Sequence, residues 1–564
     1  MISVSGKKWQ EKKINIKIVK KIQQENNFSE LLSKLVVSRN FDENEIYLIK
    51  NNLELSNIFK KNPDFNKSIK LIEDTIKSGE NICILGDYDV DGSSATSLLV
   101  RFLENLKHPY YYYIPDRIKD GYGASIKLFK KLILKKPKLV IMLDCGSTSV
   151  DAVKFLNDRN IKSLIIDHHE INKPYPKANA IINPKKNNGY IAYDYLCATS
   201  LTYFFLELLI KKLKCNFDLR KFLIYVLLAT VCDVMPLRKL NRLIALKALK
   251  EFDINENFAF KKIYNLADKR NKVCIDDLGY LIGPILNSGG RIGKSNYATE
   301  LLSTNNAEII EQRSQDLFNL NIKRKIIETR ILESINFDNL IKDQNEVIIY
   351  YDPNINEGLI GIIASRIKDY CNKPCIVITK SNNLLKGSAR SVVDYNIGGV
   401  IRNLLDKKII LNGGGHNMAA GFTLYENQLL NLNKFILQDF VKKNIRINKS
   451  LNYDSEVSSH ILNKDFYDDI KQMEPFGTGN TAPIFLFKDL KVIKSSVLKK
   501  KHISCVLKSR TGSSLNTICF NSINTQIGHY FLNYKKYFNV IGQINESFWK
   551  NKKTLQLIIK DLIL

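Results

Sequence analysis

From Asn81 onward the chain reads as short, uncharged apolar runs separated by stretches of helical spacing. "NICILGD" (81–87), "KLVIMLDCG" (138–146), "SLIIDHH" (163–169) and "AIINP" (180–184) each leave an apolar core on Gly, Asp, His or Asn. Helices are predicted from about Ser94 to Leu106 and over Val150 to Asn160, with "YYYYIPD" (110–116) as a further strand. Strand, helix and strand in repetition build a mostly parallel sheet with helices on its faces.

Helices dominate from about 197 to 250, followed by the Gly-rich "IGPILNSGGRIGKS" at 282–295. From Tyr297 to about Ile335, Leu301, Ile309, Leu317, Leu320, Ile327 and Ile331 recur at near-helical spacing without Pro or Gly, which predicts one extended helix joining two lobes. A second α/β pattern runs from 346 to about 440, with "EVIIYYD", "PCIVITK" and the turn-rich "NGGGHNMAAGF". Past Asn452, short alternating runs such as "HISCVLKS" and "YFNVIGQI" predict a small antiparallel barrel of OB-like fold. Residues 1–75 are charge-rich, with helical spacing in "SELLSKLVVSRN" and "FNKSIKLIEDTIKSG".

The fold class is therefore α/β: two α/β lobes, a connecting helix and a barrel. The expected division is a helical lead-in at 1–75, a first lobe at 76–296, the connecting helix at 297–340, a second lobe at 341–445 and the barrel at 446–564. A chain of 564 residues exceeds what a single core supports.

Composition adds a partner. Lys and Arg number 85 against 57 Asp and Glu, a formal charge of +28, which favours a polyanion such as nucleic acid. Lys, Asn and Ile are abundant throughout, so the charge supports that reading without deciding it. Ten cysteines lie scattered without a CxxC pair and read as reduced, small buried hydrophobes. The first residues lack the apolar core of a secretory signal, and no run approaches a membrane span, so a cytoplasmic protein without membrane attachment is expected.

Against this basic background, acidic and imidazole groups collect at predicted strand ends: Asp89 and Asp91 in "GDYDVDG", Asp144 after "KLVIML", and His168 and His169 after Asp167. In open α/β sheets ligands bind at those carboxyl ends. The apolar helix "FLIYVLLATVCDVMPL" adds a lone Asp233 near its end. Clustered buried carboxylates need a cation or protonation, and carboxylates with one neutral imidazole suit Mn²⁺ or Mg²⁺. Two ions roughly 3.5–4 Å apart would activate water and neutralise phosphorus oxygens, so phosphoester hydrolysis is the expected chemistry. Taken singly, Asp144 reads more readily as a helix N-cap and His169 as a satisfied core histidine or a donor to phosphate, while Asp87 reads as a backbone partner in its turn.

The Asp167-His168-His169 triplet with "GDYDVDG" resembles the DHH phosphoesterase superfamily. "IPDRIKDGYGAS", "ATVCDVMPL", "GPILNSGGRIG", "NEGLIGIIASRI", "KGSARSV", "GGGHNMAAGF" and "EPFGTGNTAPIF" narrow the resemblance to its RecJ family, over nearly everything from about 70 onward. The resemblance implies a DHH domain and a DHH-associated domain before the barrel. It implies a single-stranded-DNA-specific exonuclease working from the 5′ end to mononucleotides in recombination and repair, passing one strand between the lobes. It further implies Asp89, Asp91, Asp144, His168 and Asp233 as metal ligands and His169 as an imidazole facing the scissile phosphate. Arg117, Arg291, Ser388 and Arg390 would form a 5′-phosphate pocket, for which guanidinium geometry is suited. His416 in "GGGH" marks either a tight turn or an anion-binding nest. Phe548, Trp549 and Tyr534 are candidates for base stacking or for the barrel core. A monomer cooperating with a helicase and a single-strand-binding protein is expected.

Three positions depart from the family pattern: Ile285 stands where arginine is usual in "GPR", Asn356 replaces a histidine before "EGLIG", and "LCATS" (196–200) replaces a Gly-rich version. They bear on substrate contacts and turnover. The alternatives are a related phosphoesterase for short oligoribonucleotides or cyclic-dinucleotide products, which the added barrel disfavours, and a non-catalytic DNA-binding scaffold, which the retained acids disfavour.

Overall fold

A computed structural model describes the chain except residues 117, 118, 122, 187–189, 343, 344, 446–449, 535, 550 and 551, and describes the backbone alone at 548, 549 and 552. The chain forms two compact units, one of residues 55–235 and 244–447, the other of 1–54, 236–243 and 448–564.

The larger unit begins with a five-stranded parallel sheet in the order Tyr110–Tyr113, Ile82–Gly86, Leu139–Leu143, Lys162–Ile166, Ala180–Ile182. Ile82–Gly86 and Leu139–Leu143 are buried along their whole length, which is why they show no polar alternation. Cys83, Leu85, Val140, Met142 and Ile165 pack against Leu128, Phe129, Val153 and Leu156 from covering helices. Register decides where the polar residues emerge. Gly86 pairs with Leu143, Leu143 with Ile166 and Ile166 with Ile182, so Asp87, Asp144, Asp167 and Asn183 leave the sheet side by side at its carboxyl edge.

The second sheet of this unit is mixed, in the order Asn412–His416, Ala419–Leu424, Leu384–Arg390, Cys375–Ser381, Ile348–Tyr351. Only the last pair is parallel. Gly387 lies under the Phe422 ring, where a methyl group would come 2.1 Å from Cζ.

The single helix expected from Tyr297 to Ile335 is two helices, Tyr297–Ser303 and Ala307–Ser334. Thr304 adopts an extended backbone, and the Asn306 side chain accepts hydrogen bonds from Glu308 N and Ile309 N, starting a new helix. The apolar spacing continues across the break, so periodicity alone could not place it. The 28-residue second helix is not apolar throughout its buried face. Glu328, buried with Arg324, accepts from Arg324 at 2.5 Å and from Arg366 of helix Ile360–Cys371 at 2.8 Å.

In the smaller unit, Phe485–Leu498, His502–Ser509, Ser514–Cys519, Lys552–Ile563 and Phe538–Trp549 follow one another, and pairing of Phe485–Leu498 with Phe538–Trp549 closes a five-stranded barrel. The barrel is not wholly antiparallel as expected: Thr517 and Ile518 run parallel to Leu557 and Ile558. Chain reversals through the helix Gln526–Asn533 leave those two strands pointing the same way. Leu32, Leu35 and Val36 of helix Glu30–Ser38 join Phe485, Phe487, Leu507 and Val540 in its core. Tyr534 is half-buried against that core, its ring 5.2 Å from Tyr530. The side chains of Phe548 and Trp549 lie outside the described residues.

A buried ion pair ties the first residues to this barrel. Asp454 accepts from Arg39 Nη1 at 2.9 Å, Arg39 Nη2 at 3.2 Å, Lys12 Nζ at 2.8 Å and Ile484 N at 2.9 Å. Burial opposes its ionisation, but the Arg39 guanidinium outweighs that and lowers the Asp454 pKa. A lowered folded-state pKa stabilises above the ordinary Asp value near 3.9, and that stabilisation is lost as pH falls through the folded value. Asp454→Asn should cost about 3–5 kcal/mol at pH 7 by stranding Arg39. Thermal melts of both proteins from pH 7 to 3 should show this gap narrowing in acid; a constant gap contradicts the assignment.

Candidate metal centre

The opening motif is built by capping. Asp89 precedes helix Val90–Asn105 and its Oδ1 accepts from Gly92 N at 3.0 Å, so the helix starts four residues before the expected Ser94 and takes Asp91 into its first turn. Gly92 has no space for a side chain, since a Cβ would lie 2.7 Å from the Asp87 backbone. Asp91 is buried, with Oδ2 accepting from Ala198 N at 2.7 Å and Oδ1 from Thr199 N at 2.8 Å, the amino end of helix Ala198–Leu213. These are backbone donors, so the departure at "LCATS" keeps the contact without glycine.

Asp144 is not an N-cap. It follows Leu143 with φ 61° and donates its N–H to Ile166 O at 3.0 Å, whereas helix Val150–Asn157 starts after Ser149. Asp233 ends helix Leu223–Cys232, and the chain turns at once through Val234, whose φ is 58°.

These groups converge on His168. Its Nε2 lies 3.3 Å from Asp144 Oδ1, 3.4 Å from Asp233 Oδ2 and 3.7 Å from Asp91 Oδ2. Ligand atoms of Asp91, His168 and Asp233 fall within 4.8 Å of one another, as do those of Asp87, Asp89 and Asp144, and those of Asp144, His168 and His169. The first two triplets share no member, and each could hold a metal ion; His168 of one lies 3.3 Å from Asp144 of the other. Asp87, expected to serve only its turn, contributes a carboxylate to the second triplet.

Electrostatics supports the fit. Burial, followed by Asp91, Asp89, Asp87 and Asp233, pushes the Asp144 carboxyl well above its ordinary range. Burial and then Asp91 do the same at Asp233, and burial and then Asp89 raise Asp91. Burial, with the neighbouring His169, holds the His168 imidazole well below its usual value and so neutral. Asp144 Oδ1, Asp233 Oδ2 and His168 Nδ1 are buried without a hydrogen-bond partner among the described residues. Oxygen donors around one neutral imidazole suit Mn²⁺ or Mg²⁺ and would relieve this repulsion.

His169 is held differently. Its Nδ1 lies 2.8 Å from Asp167 Oδ1, and that oxygen also accepts from His168 N at 2.8 Å and His169 N at 3.1 Å. Burial opposes charge on His169, but Asp167 prevails and raises the imidazole to about 9. With 34% of the side chain exposed, solvent screens part of that pull. Asp167 shows no role of its own in the sequence; its place just before two imidazole-bearing residues is the available signal.

Three of the residues expected to bind the 5′-phosphate lie around the loop 356–361. A Cβ at Gly358 would lie 2.1 Å from Arg291 O, and one at Gly361 would lie 3.0 Å from Arg390 Nη2 and 3.1 Å from Ser388 Oγ. Arg291 Nη1 donates to Gly358 O at 3.3 Å and Arg390 Nη1 to Ser388 Oγ at 3.3 Å, both beside the amino end of helix Ile360–Cys371, where backbone N–H groups favour an anion. Asn356 Oδ1 accepts from Gly358 N at 2.8 Å, so the departing residue supports the loop. Ile285 is buried within helix Gly283–Ile292. Arg117 lies outside the described residues.

"GGGH" is neither a turn nor a nest. It is the strand Asn412–His416, glycine-rich because a Cβ at Gly415 would meet Ala419 O at 2.3 Å and one at Gly413 would meet Ile401 at 2.8 Å. His416 pairs with Ala419, and Ala419 with Arg390. Its ring stacks 6.0 Å from that of His169, and Nδ1 lies 4.0 Å from Glu170. One end of this sheet thus carries both Arg390 and the His416 ring that stacks by His169.

Over 512 residues the chain is 30% identical to the single-stranded-DNA-specific exonuclease RecJ of Haemophilus influenzae, covering 85% of this chain and 88% of that protein. The chain belongs to the RecJ family. The RecJ of Bacillus subtilis is 25% identical over 575 residues, covering 99% of this chain and 71% of that protein. Family models match in three places: the DHH family N-terminal domain at 81–230, the DHHA1 domain at 344–442 and the RecJ OB domain at 453–561. The RecJ fold is shared with the crystal structure of RecJ in complex with Mn²⁺ from Thermus thermophilus, at TM-score 0.81 and 19% identity, covering 98% of this chain and 79% of that one. The Mg²⁺ complex of the same protein aligns at TM-score 0.74 and 18% identity, covering 99% and 78%. Among the described residues of this RecJ-family chain, no helix is long and apolar enough to cross a membrane.

Proposed function

We propose that the protein is a divalent-metal-dependent exonuclease that hydrolyses single-stranded DNA from the 5′ end to mononucleotides, in recombination and repair. The observation that carries this reading is the convergence of Asp91, Asp144 and Asp233 on His168 Nε2 within 3.7 Å, in a unit that also holds the Arg291–Ser388–Arg390 site. Asp89, Asp91, Asp144, His168 and Asp233, joined by Asp87, would hold two Mn²⁺ or Mg²⁺ ions. The chemistry supplied on binding them is Lewis acidity, which lowers the pKa of water and neutralises phosphorus oxygens.

The remaining roles belong to side chains. His169, anchored through Nδ1 on Asp167, presents Nε2 as a proton donor to a non-bridging phosphate oxygen. Arg291, Ser388 and Arg390 bind the terminal phosphate with charge-assisted hydrogen bonds, so cleavage is counted from the 5′ end. His416, stacked by His169, adds a second imidazole beside the phosphate path. The barrel offers an OB surface for the strand. We place the domains at 1–75, 76–296, 297–340, 341–445 and 446–564, and infer a cytoplasmic monomer working with a helicase and a single-strand-binding protein.

End-labelled single-stranded and duplex DNA, offered with Mn²⁺, Mg²⁺ or chelator, tests the reading. Metal-dependent release of mononucleotides from single strands alone, starting at the 5′ end, is the expected result. Activity confined to short RNA or cyclic-dinucleotide products, or retained in chelator, overturns it.

A further inference from the structure

A closed ring of hydrogen bonds lies behind His169, and its keystone is a residue outside the metal centre. Asn183 follows the edge strand Ala180–Ile182, and the pairing of Ile182 with Ile166 sets it beside Asp167. It is fully buried. Its Nδ2 donates to His169 O at 2.9 Å and to Ser147 Oγ at 2.7 Å. Ser147 N in turn donates to Asp167 Oδ2 at 3.0 Å, and Asp167 Oδ1 takes His169 Nδ1 at 2.8 Å, which closes the circuit.

The amide can face only one way. His169 O is a backbone carbonyl and accepts only, so Nδ2 must point to it, and Oδ1 is then matched by Lys185 N at 2.9 Å. Asn183 N donates to Tyr190 Oη at 2.8 Å, and Tyr190 is itself buried edge-on to Phe59 and Phe65. The asparagine is thus fixed by a rigid aromatic wall on one side and grips the His169 main chain on the other. None of these four hydrogen bonds involves the side chain of a proposed metal ligand.

We infer that Asn183 is a positioning residue for His169, holding the imidazole at the angle its role toward phosphate requires while leaving cation binding untouched. This rests on the proposed function, because the role of His169 does. An asparagine that served only the fold would show its loss in stability and metal affinity alike; one that acts through His169 shows it in turnover alone.

The test is a double-mutant cycle with Asn183→Ala, His169→Ala and the double variant in the full-length protein. Mn²⁺-dependent degradation of 5′-phosphorylated single strands is measured alongside the Mn²⁺-induced shift in melting temperature. Asn183→Ala should lower kcat about 10- to 100-fold, as loss of an outer-shell partner does, with KM and the Mn²⁺-induced shift unchanged within about twofold. In the His169→Ala background the same substitution should have no further effect on kcat. An unchanged kcat, an equal further loss in the double variant, or a matching loss of Mn²⁺ response overturns the inference. Should Asn183→Ala not fold, Ser147→Ala cuts the same ring at its next bond and is judged by the same criteria. A crystal structure of the variant reads the inference without activity: a His169 ring still 2.8 Å from Asp167 refutes it even where wild-type protein proves inactive and the functional reading falls.

Discussion

Asp144→Asn should abolish metal-dependent nucleotide release, lowering kcat by at least about 10³-fold as expected for one member of a unit that acts together, while the metal-free protein becomes more stable. The two effects have one cause. Burial, followed by the charges of Asp91, Asp89, Asp87 and Asp233, pushes the Asp144 carboxyl upward, so an uncharged amide relieves a cost that only a cation or a proton otherwise offsets. Asparagine is well suited to φ 61°, so the backbone need not move. Melting curves with and without Mn²⁺ separate the effects: wild type should gain stability with metal, and the variant should start higher and gain little. A variant that is less stable without metal, or fully active with it, contradicts the carboxylate cluster.

Arg390→Ala should weaken turnover of 5′-phosphorylated strands about 30- to 150-fold, and leave 5′-hydroxyl strands near wild type. Hydrogen bonds to a charged group contribute about 2–3 kcal/mol, which converts to that range. Arg390 meets Ser388 at Gly361, at the amino end of helix Ile360–Cys371, so its loss removes the guanidinium and spares the backbone N–H groups. Paired kcat/KM values on the two strand types check this. An equal loss on both would make Arg390 a general backbone contact, and no loss would remove it from the phosphate site.

Much of the fold is legible because strands Ile82–Gly86, Leu139–Leu143 and Ala180–Ile182 of the parallel sheet are buried along their length and leave uninterrupted apolar runs. The residues after those runs, Asp144 and the Asp167–His169 triplet, are legible as candidates for the same reason. What escapes are features set by partners distant in sequence or by capping. Helix Val90–Asn105 begins early because Asp89 is at once a cap and a candidate ligand, and apolar spacing does not report a cap. The helix break at Thr304–Asn306 lies in a polar stretch that interrupts no apolar position.

"GGGH" looks like a turn in one dimension. It is a strand because residues from other segments, Ile401, Ala420 and Phe422 among them, crowd its Cβ positions. Arg39 and Asp454 pair across 415 residues, a distance no local pattern spans. Asp87 and Asp167 read in sequence as turn and motif residues; strand register, which sequence spacing does not encode, brings both to the same sheet edge.

Scattered acids and one imidazole are proposed to hold a pair of divalent cations at the carboxyl end of the parallel sheet, and every catalytic role assigned above depends on that pair. Anomalous diffraction from crystals of the protein grown with Mn²⁺ tests it most directly. The expected result is two peaks roughly 3.5–4 Å apart, enclosed by Asp89, Asp91, Asp144, His168 and Asp233. Peaks elsewhere on the molecule, or none at that cluster, would contradict it.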